Sequence, residues 1–352
     1  MESPNSGGGA GPPGHRTQAT DEFAAIAALQ ARFEAVARLR APGGKVPPGG
    51  DIWIGDDAAV VAPASGGRIV LATDLVVGGV HFDLALSSAE DVGYKALMVT
   101  VSDFAAMGVR PAHALVSIAA PAGTDVDLLG AGLAEAAGEV SCVIVGGDLA
   151  QSPVLVLSTA AFGVAEPGGL PPLLRSGAQP GDELFVTGPL GRSAAGLRLL
   201  RSTVGSTAAA TPGSSTATES GFRPPGPDLI HAHRRPVARL AEGEAARRSG
   251  ATAAIDLSDG LVGDLGHLAA SSGVGVELDT VPVAEGATRD EALGGGEDYE
   301  LVVATGTPDD LVAAFLAADL AAPLPIGRCN DRPGQLTLNG VALPLTGWRH
   351  RF

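Results

Sequence analysis

Runs of apolar, β-branched residues recur along the chain, separated by segments whose apolar positions follow a helical period. The runs are RIVLATD (68–74), ALVSIAA (114–120), CVIVGGD (142–148) and VLVLSTAAFG (154–163), then ELFVTG (183–188), AAIDLSD (253–259), VGVELD (274–279) and YELVVA (299–304). Each reads as a buried strand. LMVTV (97–101) reads as one more. Between them DVDLLGAGLAEAAGEV (125–140), PVARLAEGEAARRSG (236–250) and DGLVGDLGHLAASSG (259–273) read as helices. In the last, Leu261, Leu265 and Leu268 share a face and Asp259 stands at the N-terminal edge, where an acid suits the helix dipole. DEFAAIAALQARFEAVARL (21–39) predicts a further helix, and LTLNGVALP (336–344) a hairpin turning at Asn339-Gly340. The chain is predicted to be mixed α/β (α+β).

Length and turn chemistry divide it. At 352 residues the chain exceeds one compact core, and EPGGLPPLLRSGAQPGD (166–182) is dense in turn formers. Two domains are expected, 21–166 and 167–352, after a Gly/Pro/Ser-rich disordered tail at 1–20. Residues 202–227 have neither period nor apolar core and read as a low-complexity surface insertion. The net charge of −16, with Lys45 and Lys95 the only lysines, argues against binding nucleic acid or an anionic membrane. Cys142 and Cys329 have no metal-type spacing and suggest no disulfide framework. Residues 1–20 lack the apolar core of a signal peptide and no segment is apolar for long enough to span a bilayer, so a soluble, cytoplasmic protein is expected.

One pattern carries chemistry: apolar runs that end in carboxylates. Asp56-Asp57, Thr73-Asp74, Ser102-Asp103, Gly147-Asp148, Asp256 and Asp259 all follow such runs. Any one alone reads as a turn former or a cap. Gathered at one sheet edge, they would form a pocket that repels itself unless hard cations enter it, and magnesium is the candidate that leaves coordination positions for phosphate. No GxxxxGK[ST] loop, strand-linked GxGxxG, HExxH or GxSxG motif occurs, so phosphate would have to be handled by metal and arginine. By spacing alone His81 reads as a loop residue and Glu297, in LGGGEDYELVV, as part of a turn.

GDDAAVV, LATDLVVGGVHF, GYKALMVTVSDFAAMGVRP, VIVGGD, GDELFVTGPLGRSAAGL, AIDLSDGLVGDLGHLAASSGVGVELD, LGGGEDYELVV and the terminal GWRHRF together resemble the thiamine-monophosphate kinase family of the aminoimidazole-ribotide-synthetase-like superfamily, from about Asp21 to Phe352. The resemblance implies an N-terminal domain contributing strands to a β-barrel at the centre of a homodimer, a C-terminal α/β domain, and a site between them. It implies transfer of the ATP γ-phosphoryl group to thiamine monophosphate by several Mg2+ ions, without a covalent intermediate. Asp57, Thr73, Asp74, Asp103, Asp148, Asp256 and Asp259 match the family's metal positions, with Ala72 at a backbone ligand position; of these, Asp57, Asp74, Asp103, Asp148 and Asp259 would act in catalysis through metal. Gly147, Asp148, Arg175 and Ser258 match ATP contacts, and His81, Glu297 and Trp348 match substrate contacts, which replaces the plainer readings of His81 and Glu297. The chain departs from the family at Leu149, Ala150 and Gln151, where members commonly carry Thr-Thr and a basic residue. Competing readings are a ligase of the aminoimidazole ribotide synthetase type and a non-catalytic nucleotide- or divalent-cation-binding protein. Selenophosphate synthetase and the hydrogenase-maturation dehydratase are disfavoured by the absence of their reactive cysteines.

Overall fold

The structure, a computed structural model, describes residues 52, 56–61, 67–165, 169–207 and 226–344. All of them belong to one compact unit, Pro47–Trp348. The expected tail, the helix at 21–39, and Trp348 lie outside the described residues.

The strands form two sheets, one from each half of the chain. The first contains β1 (Ala59–Val61), β2 (Arg68–Val77), β3 (Pro111–Ala120), β4 (Val143–Gln151) and β5 (Val156–Ala165) in the order β1-β2-β5-β3-β4, antiparallel except for the β3–β4 pair. The second contains β6 (Glu183–Val186), β7 (Ala253–Asp256), β8 (Gly275–Leu278), β9 (Leu301–Thr305), β10 (Leu324–Asn330), β11 (Leu336–Leu338) and β12 (Val341–Ala342), ordered β12-β11-β8-β10-β6-β9-β7. Among the described residues neither sheet closes on itself. The β11–β12 hairpin turns at Asn339 and Gly340, both at positive φ, which is the chemistry a tight two-residue turn requires.

The helices are α1 (Ala89–Ala106), α2 (Val126–Val140), α3 (Arg192–Thr207), α4 (Gly226–Arg234), α5 (Leu240–Ser249), α6 (Leu261–Ser272), α7 (Arg289–Gly294) and α8 (Pro308–Ala317). Two differ from the sequence reading. LMVTV is the middle of α1 rather than a strand, because this helix is covered on nearly every side, from Val92 through Ser102 without a break, and so shows no amphipathic period. A Ser88–Asp91 capping box fixes its start. The proposed insertion is also helical at its two ends, where Ser202–Thr207 continue α3 and Gly226 opens α4.

Helix α1 is the element on which the site is built. It packs against α2, β2, β5, α5 and β7, and so touches both sheets. Gly93 and Gly132 let α1 and α2 approach closely: a Cβ at Gly93 would lie 2.0 Å from the Leu129 carbonyl oxygen, and one at Gly132 would lie 1.9 Å from that of Glu90. Phe104, Leu97 and Met107 are fully buried in a core that also takes in Phe185, Leu301 and Phe315 from the second half. Truncating Phe104 to Ala there costs about 3–5 kcal/mol. A second core, around Leu184, Ile255, Leu265 and Val276, fills the other face of the second sheet.

Candidate active site

Three carboxylates converge where α1 crosses the ends of the two sheets. Asp57 comes from the bend before β1, Asp103 from the last turn of α1 and Asp256 from the end of β7, and each offers an oxygen within 4.8 Å of the others. Asp74, on the core-facing side of β2, lies close enough for its charge to act on Asp103. One cation answers them: Arg175 Nη2 donates to Asp57 Oδ1 at 2.8 Å. The partner aspartate of the Asp56-Asp57 pair has a different task. Both Asp56 carboxylate oxygens accept the Arg175 backbone N–H, at 3.1 and 3.2 Å, so Asp56 pins the loop that delivers the guanidinium. Leu174 C=O accepts from Ala254 N–H and Ser272 Oγ donates to Arg175 C=O, tying the same loop to β7 and α6.

The cluster is short of positive charge, and its proton affinities register this. Desolvation, followed by the neighbouring Asp57, raises Asp56 to about 6. Desolvation raises Asp74 to about 6, with the Thr100 hydroxyl opposing and the Asp57 charge adding. Burial, then the charges of Asp74, Asp256 and Asp57, hold Asp103 far above the ordinary carboxylate range. Asp256 is raised by burial and by Asp57, although Ser102 Oγ donates to its Oδ2 at 2.6 Å. Among the described residues, Asp57 Oδ2 and Asp74 Oδ2 are buried without a hydrogen-bond partner. A buried carboxylate oxygen with no donor is costly, and hard divalent cations take such oxygens as ligands.

The other expected metal positions are distributed around this group. Ala72 precedes Asp74 on the same face of β2, whereas the side chain of Thr73 lies on the opposite face and donates to Thr159 C=O. Asp259 and Ser258 sit half-buried in the turn after β7, shaped by Asp264, whose Oδ2 accepts the N–H groups of Asp259 and Gly260 at 3.1 Å. The start of α6 is thus served by Asp264, while its N-cap position is Gly260 and carries no side-chain cap. Asp148 and Gly147 stand apart. They lie exposed on the edge strand β4, where Asp148 pairs with Ser117, three ladders or about 14 Å from β2. Asp148 Oδ1 accepts the N–H of Leu149. Gly147 fits a close backbone crossing, since a Cβ would fall 1.8 Å from Val116 O.

A pocket of about 280 Å3 brings His81 and Glu297 together, between the loop after β2, helix α3 and helix α4. His81 Nδ1 accepts the Val77 N–H at 3.0 Å, which fixes the ring. Glu297 and Tyr299 both have positive φ, uncommon for side chains of this size. That conformation is held by Glu297 N–H to Ser258 C=O at 2.7 Å and Tyr299 N–H to Leu257 C=O at 2.9 Å. In this segment Asp298 accepts the N–H groups of Gly191 and Ser193 near the start of α3, and Glu300 accepts from Thr187 and pairs with Arg239. Glu297 Oε1 is 2.7 Å from Lys95 Nζ, and its Oε2 is 3.4 Å from His233 Nδ1. Burial, then the Lys95 charge, pushes His233 down to about 4, so it is neutral at physiological pH. Lys95, His233 and Asp264 were not singled out from the sequence as site residues. Of these only Lys95 carries a signal there, as one of two lysines, inside an apolar stretch.

Residues 55–165 match the AIR synthase related protein, N-terminal domain, and residues 179–337 match the corresponding C-terminal domain. The chain is 38% identical to the thiamine-monophosphate kinase of Corynebacterium glutamicum over 71% of this chain and 76% of that one. It is 37% identical to that of Mycobacterium tuberculosis over 81% of each. Among solved structures it resembles AaThiL complexed with AMPPCP and TMP, with a TM-score of 0.75 and 31% identity over 94% of this chain and 97% of that one. The two domain models in sequence, the level of identity over most of each relative and the shared fold lead to one conclusion: the chain belongs to the thiamine-monophosphate kinase family, within the AIR synthase-like superfamily.

Proposed function

We propose that the protein transfers the γ-phosphoryl group of ATP to thiamine monophosphate, giving thiamine diphosphate and ADP, by direct in-line displacement. The observation that carries this reading is the adjacency, in a chain of this family, of a charge-deficient carboxylate cluster and a separate pocket holding Glu297 and His81. The acceptor is a phosphate oxygen that is already ionised at neutral pH, so the reaction needs alignment and charge neutralisation more than a general base. Asp57, Asp74, Asp103 and Asp256 fit Mg2+ as a donor set, because they are hard oxygen ligands, two of them with buried, unpartnered oxygens. Bound there, magnesium would offset the repulsion between the two phosphates and stabilise charge on the transferred group. Asp259, Ala72 and Thr73, together with Asp148 on the edge strand, complete the proposed metal positions.

Arg175 supplies a fixed, planar cation beside the cluster, and with Ser258 is assigned to ATP. His81 and Glu297 hold the acceptor, with Trp348 joining them. Gly147 and Asp148, on the exposed edge strand, would serve the nucleotide in a homodimer. The open face of the first sheet supports such a dimer, since Leu71, Leu75, Leu115, Val143, Val145 and Leu149 are all exposed on its strands. We further assign residues 21–166 and 167–352 as the two domains, and a cytoplasmic location; among the described residues no helix is long and apolar enough to cross a membrane. The test is incubation with ATP, Mg2+ and thiamine monophosphate, followed by chromatography of the thiamine species. Thiamine diphosphate should form, should be lost with EDTA, and should not form from free thiamine. Turnover of ATP without a diphosphorylated thiamine product would overturn the acceptor.

A further inference from the structure

We propose that Lys95 is a positioning residue that sets the geometry of the acceptor pocket, an inference that rests on reading that pocket as the thiamine monophosphate site. Lys95 lies in the middle of α1 and is 3% exposed, so its ammonium is closed off from the pocket and does not present itself to a bound ligand. Its Nζ is 2.7 Å from Glu297 Oε1 and donates to the His81 backbone carbonyl at 3.1 Å. Those two partners come from separate stretches of chain that both line the pocket, the loop after β2 and the segment before β9. One buried cation therefore ties the two residues together, through the Glu297 carboxylate and the His81 backbone carbonyl. Both its partners need fixing: Glu297 is held at a positive φ, and His81 lies in a loop that has turned out of the sheet at Gly79.

The remaining neighbours of Glu297 do not replace this contact. His233 Nδ1 is 3.4 Å from Glu297 Oε2 but is also 3.0 Å from Ser193 Oγ, and this ring carries no charge at neutral pH. Arg201, the other basic pocket residue, is exposed at the rim. Without Lys95 the Glu297 carboxylate keeps its place in the chain but loses its charged anchor, and its position relative to His81 is no longer fixed. A charge-assisted contact of this kind corresponds to about a tenfold to hundredfold effect on binding.

The experiment is a double-mutant cycle with Lys95→Met, Glu297→Gln and the pair, reading kcat and the separate KM values for thiamine monophosphate and ATP, with melting temperature as a check on folding. If Lys95 acts through Glu297, Lys95→Met should raise the KM for thiamine monophosphate at least about tenfold and leave that for ATP within about twofold. Lys95→Met should cost much less in the Glu297→Gln background than in the wild type, the remainder reporting its contact with the His81 carbonyl, and the pair removes both charges, so it does not leave an unpaired carboxylate to disturb the fold. Equal changes in both KM values, or fully additive effects in the pair, would overturn the proposal. Failure of the wild-type protein to use thiamine monophosphate at all would instead overturn the reading of the pocket, and this proposal with it.

Discussion

The carboxylate cluster and the pocket that holds His81 and Glu297 both draw on the same helix and solve opposite electrostatic problems. At the cluster, among the described residues, Asp56, Asp57, Asp74, Asp103 and Asp256 gather around one guanidinium, and two buried oxygens lack donors. In the pocket, Glu297 already has a buried ammonium partner and its histidine neighbour is neutral. The first region stores repulsion that a cation can relieve; the second is internally balanced and can hold a shape. Helix α1 supplies both, with Asp103 and Ser102 near its C-terminal end and Lys95 two turns earlier. A displacement of this helix would therefore disturb the cluster and the pocket together, which makes its tight packing part of the site.

The largest break in the comparison should come from Asp74→Asn. It removes a charge from the cluster and should lower turnover by at least about a hundredfold while the protein stays folded. Near-wild-type turnover in a steady-state assay would remove Asp74 from the metal set. Ser102→Ala should be milder. It deletes the buried donor to Asp256 and should lower activity by about tenfold, with a loss of melting temperature that added Mg2+ partly restores.

The burial of these carboxylates also has a pH signature. Asp56 and Asp74 hold protons in the folded protein up to about 6, whereas the unfolded chain releases them near 3.8, so these groups cost stability as the pH rises from about 4 to about 6. His233, lowered to about 4 from 6.5, acts in the other direction over nearly the same window, because the unfolded chain takes up its proton first. Comparing variants cancels the histidine. Relative to Asp74→Asn, the metal-free wild-type protein should lose melting temperature between pH 4 and 6 and level off above that. A difference that does not change with pH would show that burial does not raise the proton affinity of Asp74. The smallest effect is expected from deleting the residues before Asp21, which should leave activity unchanged; a large loss would give that segment a role.

The strands were legible because their β-branched runs are short and bounded by turn residues, as in RIVLATD for β2 and AAIDLSD for β7. The aspartates were legible for the same reason, standing at the ends of those runs. Helix α1 was misread as a strand at LMVTV because a helix buried on all sides loses the period that marks it. With it went Lys95, whose role depends on a partner about two hundred positions away, beyond any local pattern. The Asp56-Asp57 pair was visible, but not its division of labour, since the loop that Asp56 holds is Arg175, far along the chain. Asp148 shares the strand-end pattern, yet edge strand β4 carries it away from the trio, a separation that strand order decides and sequence spacing does not.

The central claim is that the two regions divide the work, and paired kinetics of Asp74→Asn and Glu297→Gln test it most directly. Each variant is titrated with Mg2+ at saturating substrates and with thiamine monophosphate at saturating Mg2+. Asp74→Asn should shift the Mg2+ dependence and leave the KM for thiamine monophosphate near wild type, while Glu297→Gln should do the reverse. If both variants shift the same parameter to a similar extent, the cluster and the pocket are one functional unit and the division is wrong.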